Sequence, residues 1–232
     1  MLQLYSNLSA APTVSQGLPW RDFTPAFQVP TELVYDKKKR QEWAAHPGTN
    51  WCMYSGFSGI NPTQRVSKDN HPALMTALVA DFDVQHTADE ICAIFAAGRF
   101  GEFAPSAIER SLSGKTHVIW DFDEPVNCYG IKLATGFLQF LQYKLRLETM
   151  LAGLDAKAFR NPATPITASG NWLYTSEHKL SATMMRGLLL AYLQSGKPQW
   201  DEDITGEDAI GMAVLEAEFA RRADLPEDEL QS

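Results

Sequence analysis

Leu78-Val79-Ala80-Asp81-Phe82-Asp83 is the stretch from which the rest of the chain is read. A short run of Leu, Val and Ala has the length and composition of a buried strand, here ending in two acids separated by one aromatic residue. Residues two apart in a strand share a face, so Asp81 and Asp83 are expected on one side and Phe82 in the core. Two carboxylates on one face repel each other unless a cation lies between them, and hard oxygen ligands suit hydrated magnesium or manganese. The plainer alternative is a strand that closes with two acids facing water.

A second informative stretch is Ser113-Gly114-Lys115-Thr116-His117, a small polar turn leading into Val118-Ile119-Trp120. Gly114-Lys115-Thr116 matches the end of a phosphate loop. That motif, however, requires glycine where this chain has Glu109, and a helix where 118–122 reads as strand. A turn rich in backbone N–H groups, with Lys115 and His117 beside it, can still grip a triphosphate. The same strand runs into Asp121-Phe122-Asp123, a competing Asp-x-Asp that exits at Glu124-Pro125 and ranks below Asp81 and Asp83.

The 232 residues suffice for one substantial domain with its own core, and 45% hydrophobic with 21% charged residues describes a soluble globular protein. No apolar run has the length of a membrane helix, and Met1-Leu2-Gln3-Leu4-Tyr5 lacks the basic start of a secretory signal. Cys52, Cys92 and Cys128 are far apart and odd in number, which argues against disulfides and a cysteine zinc site and favours a reducing cytoplasm. The net charge of -8 divides into -9 over 201–232 and +1 over 1–200. A near-neutral body neither requires nor excludes a nucleic-acid partner.

Residues 1–30 hold Pro12, Pro19, Pro25 and Pro30 without a sustained period and read as an extended arm. A helix is expected over 32–45, capped by Thr31 and carrying Lys37-Lys38-Lys39-Arg40, either a solvated surface or a contact for template phosphates. An aromatic strand follows at 50–57, and the organising strand spans 74–84. Thr87 with Glu90 forms a capping box for a helix faced by Ile91, Ile94 and Phe95, while His86, near the acids, reads as a solvent-exposed loop histidine, with a metal ligand as the alternative. Ala134, Leu138, Leu141 and Leu145 stripe a long helix over 129–154, ended by Gly153, before a compact polar loop over 154–162. A strand at 171–175, a helix at 183–193 and an acidic helix at 204–223 complete the pattern.

Taken in order, these are an Asp-x-Asp on a strand, a Ser-Gly-x-x-His turn opening another strand, a helix, and a further acid, Asp155, before Arg160-Asn161-Pro162. That ordered set, over 77–175, resembles the archaeo-eukaryotic primase superfamily, and within it the replication proteins of colicin-type plasmids. The resemblance implies an α+β fold, an RRM-like sheet facing a second α/β lobe, with 31–200 as the catalytic domain and 201–232 as an acidic helix or linker. It implies that Asp81, Asp83 and Asp155 bind Mg2+ or Mn2+. It further implies that His117 contacts the triphosphate, with Ser113, Gly114 and Lys115 in its turn, and that Arg160 contacts phosphate or template.

The implied activity is template-directed primer synthesis in plasmid, phage or mobile-element replication: a 3'-hydroxyl attacks the α-phosphate of a nucleoside triphosphate and pyrophosphate leaves. The implied partners are a single-stranded DNA template, nucleoside triphosphates and a helicase or origin-binding domain or protein, with no membrane. Trp51, Tyr54 or Trp172 would stack template bases, unless they are core residues. Two rivals use the same residues: a metal-dependent nuclease, and a non-catalytic initiator that binds origin DNA.

Overall fold

In a computed structural model of the chain, residues 3–6, 18–23, 38, 51–53, 74–96, 98–127, 131–145, 147, 151–164 and 166–195 are described. The strands are β1 (Gln3–Ser6), β2 (Leu18–Pro19), β3 (Trp51–Met53), β4 (Leu74–Phe82), β5 (Ala107–Arg110), β6 (Thr116–Asn127), β7 (Ile166–Ala168) and β8 (Trp172–Thr175). The helices are α1 (Ala88–Ala96), α2 (Ile131–Lys144), α3 (Ala156–Arg160) and α4 (Ala182–Gln194). The result is α+β, as expected: antiparallel sheets in the orders β2-β1-β3-β7 and β4-β6-β5-β8, with helices on the second.

Alternation along β4, β5 and β6 divides the second sheet between two cores. On one face Leu78, Ala80, Phe82, Ile108, Val118 and Trp120 are buried against Ile91 and Phe95 of α1, Leu138 and Leu141 of α2, and Met185 and Leu189 of α4. The Leu, Ile, Val, Phe and Met side chains among these contribute about 1.5–3 kcal/mol each when fully buried. On the other face Ala77, Val79, Ala107 and Ile119 pack with Trp20, Phe23 and the β7 residues Ile166 and Ala168. Asp81, Glu109 and His117 continue this second face, by parity, toward one end of the sheet.

The Thr87 capping box forms as read: Glu90 N–H donates to Thr87 Oγ1 (3.2 Å) and Thr87 N–H to Glu90 Oε2 (2.8 Å). Other expectations need correction. Two segments of the supposed arm are strands, β1 and β2, and Trp20 and Phe23 are buried. Within the expected helix 129–154, α2 spans Ile131–Lys144 and Leu147 is again helical, while the loop after Gly153 contains α3. The strands β5 and β7 are additional. Of the expected helix 32–45 only Lys38, helical and exposed, lies within the described residues, and of 50–57 only β3. The acidic helix at 204–223 lies outside them. Among the described residues, no helix is long and apolar enough to cross a membrane.

Candidate active site

β5 and β6 form a hairpin whose loop, Ser111 to Lys115, is tied internally: Gly114 N–H donates to Ser111 O (2.9 Å) and Lys115 N–H to Ser111 Oγ (3.0 Å). Gly114 adopts φ of 79°, which glycine supplies at little steric cost. Ser113 Oγ lies 3.0 Å from Ser111 Oγ. The N–H groups of Gly114 and Lys115 therefore face inward to the loop. This differs from an open phosphate nest, because the loop's first need is to satisfy its own backbone. Arg110 braces the same loop, its guanidinium donating to Gly114 O, Thr116 Oγ1 and His86 O, each at 3.3 Å.

Hairpin closure sets Glu109 opposite His117, and β4 pairs Asp81 opposite His117 on the other side. Cross-strand partners share a face, so Asp81, His117 and Glu109 form a row over three adjacent strands. His117 is 4% exposed; Nδ1 lies 2.8 Å from Glu109 Oε2 and Nε2 lies 3.5 Å from Asp81 Oδ1. Burial pushes this imidazole toward neutrality. The hydrogen bonds and charges of Asp81 and Glu109 outweigh that and raise its pKa to about 9. Glu109 is fully buried, and its Oε1 accepts the N–H groups of Ser169 and Gly170, both at 2.6 Å.

The row continues past Asp81. Asp155 N–H donates to Asp81 O (2.8 Å) and Asp83 N–H to Gly153 O (2.6 Å), and Phe82 bridges Leu154 in antiparallel sense. Residues 153–155 thus extend the sheet along the edge of β4, setting Asp155 across from Asp81. Gly153 makes the approach possible: its φ is 78°, and an added Cβ would lie 2.9 Å from both Val84 methyl carbons. Asp155 also caps α3, Oδ1 accepting Lys157 and Ala158 N–H at 3.0 Å each.

Phe82 is fully buried, whereas the side chains of Asp81 and Asp83 are 30% and 61% exposed. Lys115 Nζ pairs with Asp83 Oδ1. Arg160 turns to α2, with Nε donating to Gln142 Oε1 (2.6 Å). His86 is partly buried, Nε2 at 2.8 Å from Ala152 O and its ring edge-on to Phe82. The competing pair is bound into the fold. Asp121 is buried, accepting Trp20 Nε1–H (3.4 Å), while Asp123 Oδ1 accepts Ala182 N–H (2.7 Å) at the start of α4.

Asp81, Asp83 and Asp155 are oxygen donors of the kind a hard divalent ion takes, and backbone pairing sets Asp155 across from Asp81, with Asp155 Oδ1 engaged in capping α3. Two protein cations, Lys115 and His117, already stand against Asp83 and Asp81. Among the described residues no three His, Cys, Asp or Glu side chains converge as metal ligands. Sequence reasoning missed Glu109. Its signal was the hairpin itself: once 111–115 is read as a loop, position 109 falls opposite 117.

Neither a protein-family model nor a curated protein matches the chain. Among solved structures, it is similar to the AEP domain of the primase-polymerase of cyanophage S-2L, at 17% identity and a TM-score of 0.41, covering 66% of this chain and 76% of that one.

Proposed function

We propose that the chain is a nucleotidyltransferase of the primase type, joining nucleoside triphosphates on a single-stranded DNA template in plasmid, phage or mobile-element replication. The observation that carries this reading is the cross-strand row: Asp155, Asp81 and His117, from three separate sequence motifs, meet at one end of one sheet. In this reading β4-β6-β5-β8 is the RRM-like half of the core, and the other sheet belongs to the second lobe.

Asp81 and Asp83, with Asp155 across from Asp81, would hold a magnesium or manganese ion, which when bound neutralises charge on the triphosphate. The chain's own residues do the rest. The Nε2 side of His117, beside the half-exposed Asp81, and the Lys115 ammonium counter the phosphate charge that grows as pyrophosphate departs. Lys115 leaves Asp83 to do so. The new bond joins the 3'-oxygen to the α-phosphorus as the hydroxyl proton passes to water, and the bond from the α-phosphorus to the oxygen that bridges to the β-phosphate breaks, its electron pair leaving with pyrophosphate. The near-complete burial of Glu109 and His117 keeps water from that flank of the row.

One observation favours a second reading. Asp81 and Asp83 are each already paired with a protein cation, so neither carboxylate needs a metal ion to balance its charge, as a non-catalytic origin-binding protein would allow. Incorporation of labelled ATP and dATP on unprimed single-stranded DNA, with magnesium or manganese, separates the two. Products that vanish in Asp81→Ala/Asp83→Ala support the primase. DNA binding that survives in the double variant, with no incorporation by the unaltered chain, supports the binding protein. Shortening of labelled DNA would indicate a nuclease.

A further inference from the structure

Glu109 belongs to none of the motifs that carry the proposed function, yet it is the most enclosed charged residue of the row. One oxygen, Oε2, faces His117 Nδ1 at 2.8 Å, and the other accepts two backbone N–H groups, from Ser169 and Gly170. Such a carboxylate has its acceptor sites directed by the fold and cannot rotate without breaking all three contacts. The turn it grips joins β7, in the first sheet, to β8, in the second. That turn is locked to β5 from outside as well: Arg110 N–H donates to Asn171 O (2.9 Å) and Ser169 Oγ–H to Arg110 O (2.6 Å). Gly170 adopts φ of 74°, which glycine supplies at little steric cost and which turns the chain from β7 toward β8.

We propose that Glu109 is a positioning residue for nucleotide binding: it anchors the His117 ring on the inter-sheet turn so that Nε2 stays aimed at the Asp81 side, where the triphosphate binds. This rests on the primase reading. A freely rotating imidazole would spend much of its time off target, and ring orientation fixed by a carboxylate partner is the usual device for holding a functional histidine. A carboxylate this enclosed would otherwise be costly to bury, and its three donors offset that cost.

The test is ATP binding, by calorimetry with magnesium, to the full chain and to Glu109→Gln, His117→Ala and the double variant, each first shown folded by circular dichroism. Glu109→Gln keeps volume and an oxygen for the turn but offers His117 an amide. The expected result is an affinity about tenfold lower in Glu109→Gln, and no further loss when Glu109→Gln is added to His117→Ala. A merely structural role would weaken binding again in the His117→Ala background, and that outcome overturns the inference. Equal affinity of Glu109→Gln and wild type overturns it too, while leaving the primase reading in place. If the wild type neither binds ATP nor incorporates it, the reading itself fails and the positioning role falls with it. Should Glu109→Gln not fold, Glu109→Asp takes its place, with the same cycle and the same outcomes.

Discussion

His117 carries a charge that burial opposes and its two carboxylate neighbours sustain, so it makes stability depend on pH in a defined direction. Its folded pKa of about 9 lies above the ordinary 6.5. The stabilisation is therefore complete below about pH 6.5 and is lost as pH rises through 9, where the folded state must release the proton it held. In metal-free buffer, the urea midpoint of the wild type should fall between pH 7 and 9.5 by more than that of His117→Asn; parallel curves would contradict this. Gly153 offers a second residue-scale test. Gly153→Ala forces a side chain into positive φ and against Val84, and should cost about 1–2 kcal/mol by urea denaturation. At this scale the sequence was informative where local chemistry repeats. Thr87 with Glu90 announces its cap, and Asp81-Phe82-Asp83 announces its alternation. Glu109 was missed by the same reading, because its partner His117 comes into place only once the hairpin is recognised and its other two donors, Ser169 and Gly170, are far along the chain.

At the scale of elements, α2 and α4 meet where Gly136 lies under Tyr192. A Cβ at 136 would overlap the Tyr192 hydroxyl and lie 2.9 Å from Cζ, and Tyr192 is itself buried. Gly136→Ala should therefore destabilise by about 1–3 kcal/mol, although alanine is the better helix former. Gly187, in α4, has nothing within 4 Å of an added Cβ. Gly187→Ala should accordingly stabilise by about 0.5–1 kcal/mol. Opposite signs in two helical glycines, measured by the same denaturation curve, would establish that packing decides the first. Periodicity found α2 and α4 because their apolar stripes are local signals. Beyond the end of α2 at Lys144 the apolar stripe continues through the buried Leu145, Leu147 and Leu151, and Leu147 is again helical, with Leu151 N–H donating to Leu147 O (3.2 Å). The strand β7 was missed because three residues carry too little alternation, and their partner Trp51–Met53 is more than a hundred positions away.

At the scale of the molecule, the question is what covers the second face of the β4-β6-β5-β8 sheet. The answer includes Trp20, from a proline-rich segment with no period of its own. Its ring is 1% exposed, stands edge-on to Trp172 at 5.1 Å, and its indole N–H donates to the buried Asp121. Arg21 stacks over the same ring, 4.4 Å from the centroid, and pairs with Glu177, so one short 3-10 turn ties the N-terminal segment to the region after β8. Trp20 thus supplies both apolar cover for Val79 and Ile119 and a donor for an acid that water does not reach. The two contributions separate by substitution. Trp20→Phe keeps most of the ring and removes the donor, and should cost about 1–3 kcal/mol. Trp20→Ala removes both and should cost about 3–5 kcal/mol. If Trp20→Phe and Trp20→Ala were both silent in thermal and urea unfolding, the N-terminal segment would be an ornament to the sheet and not part of its core.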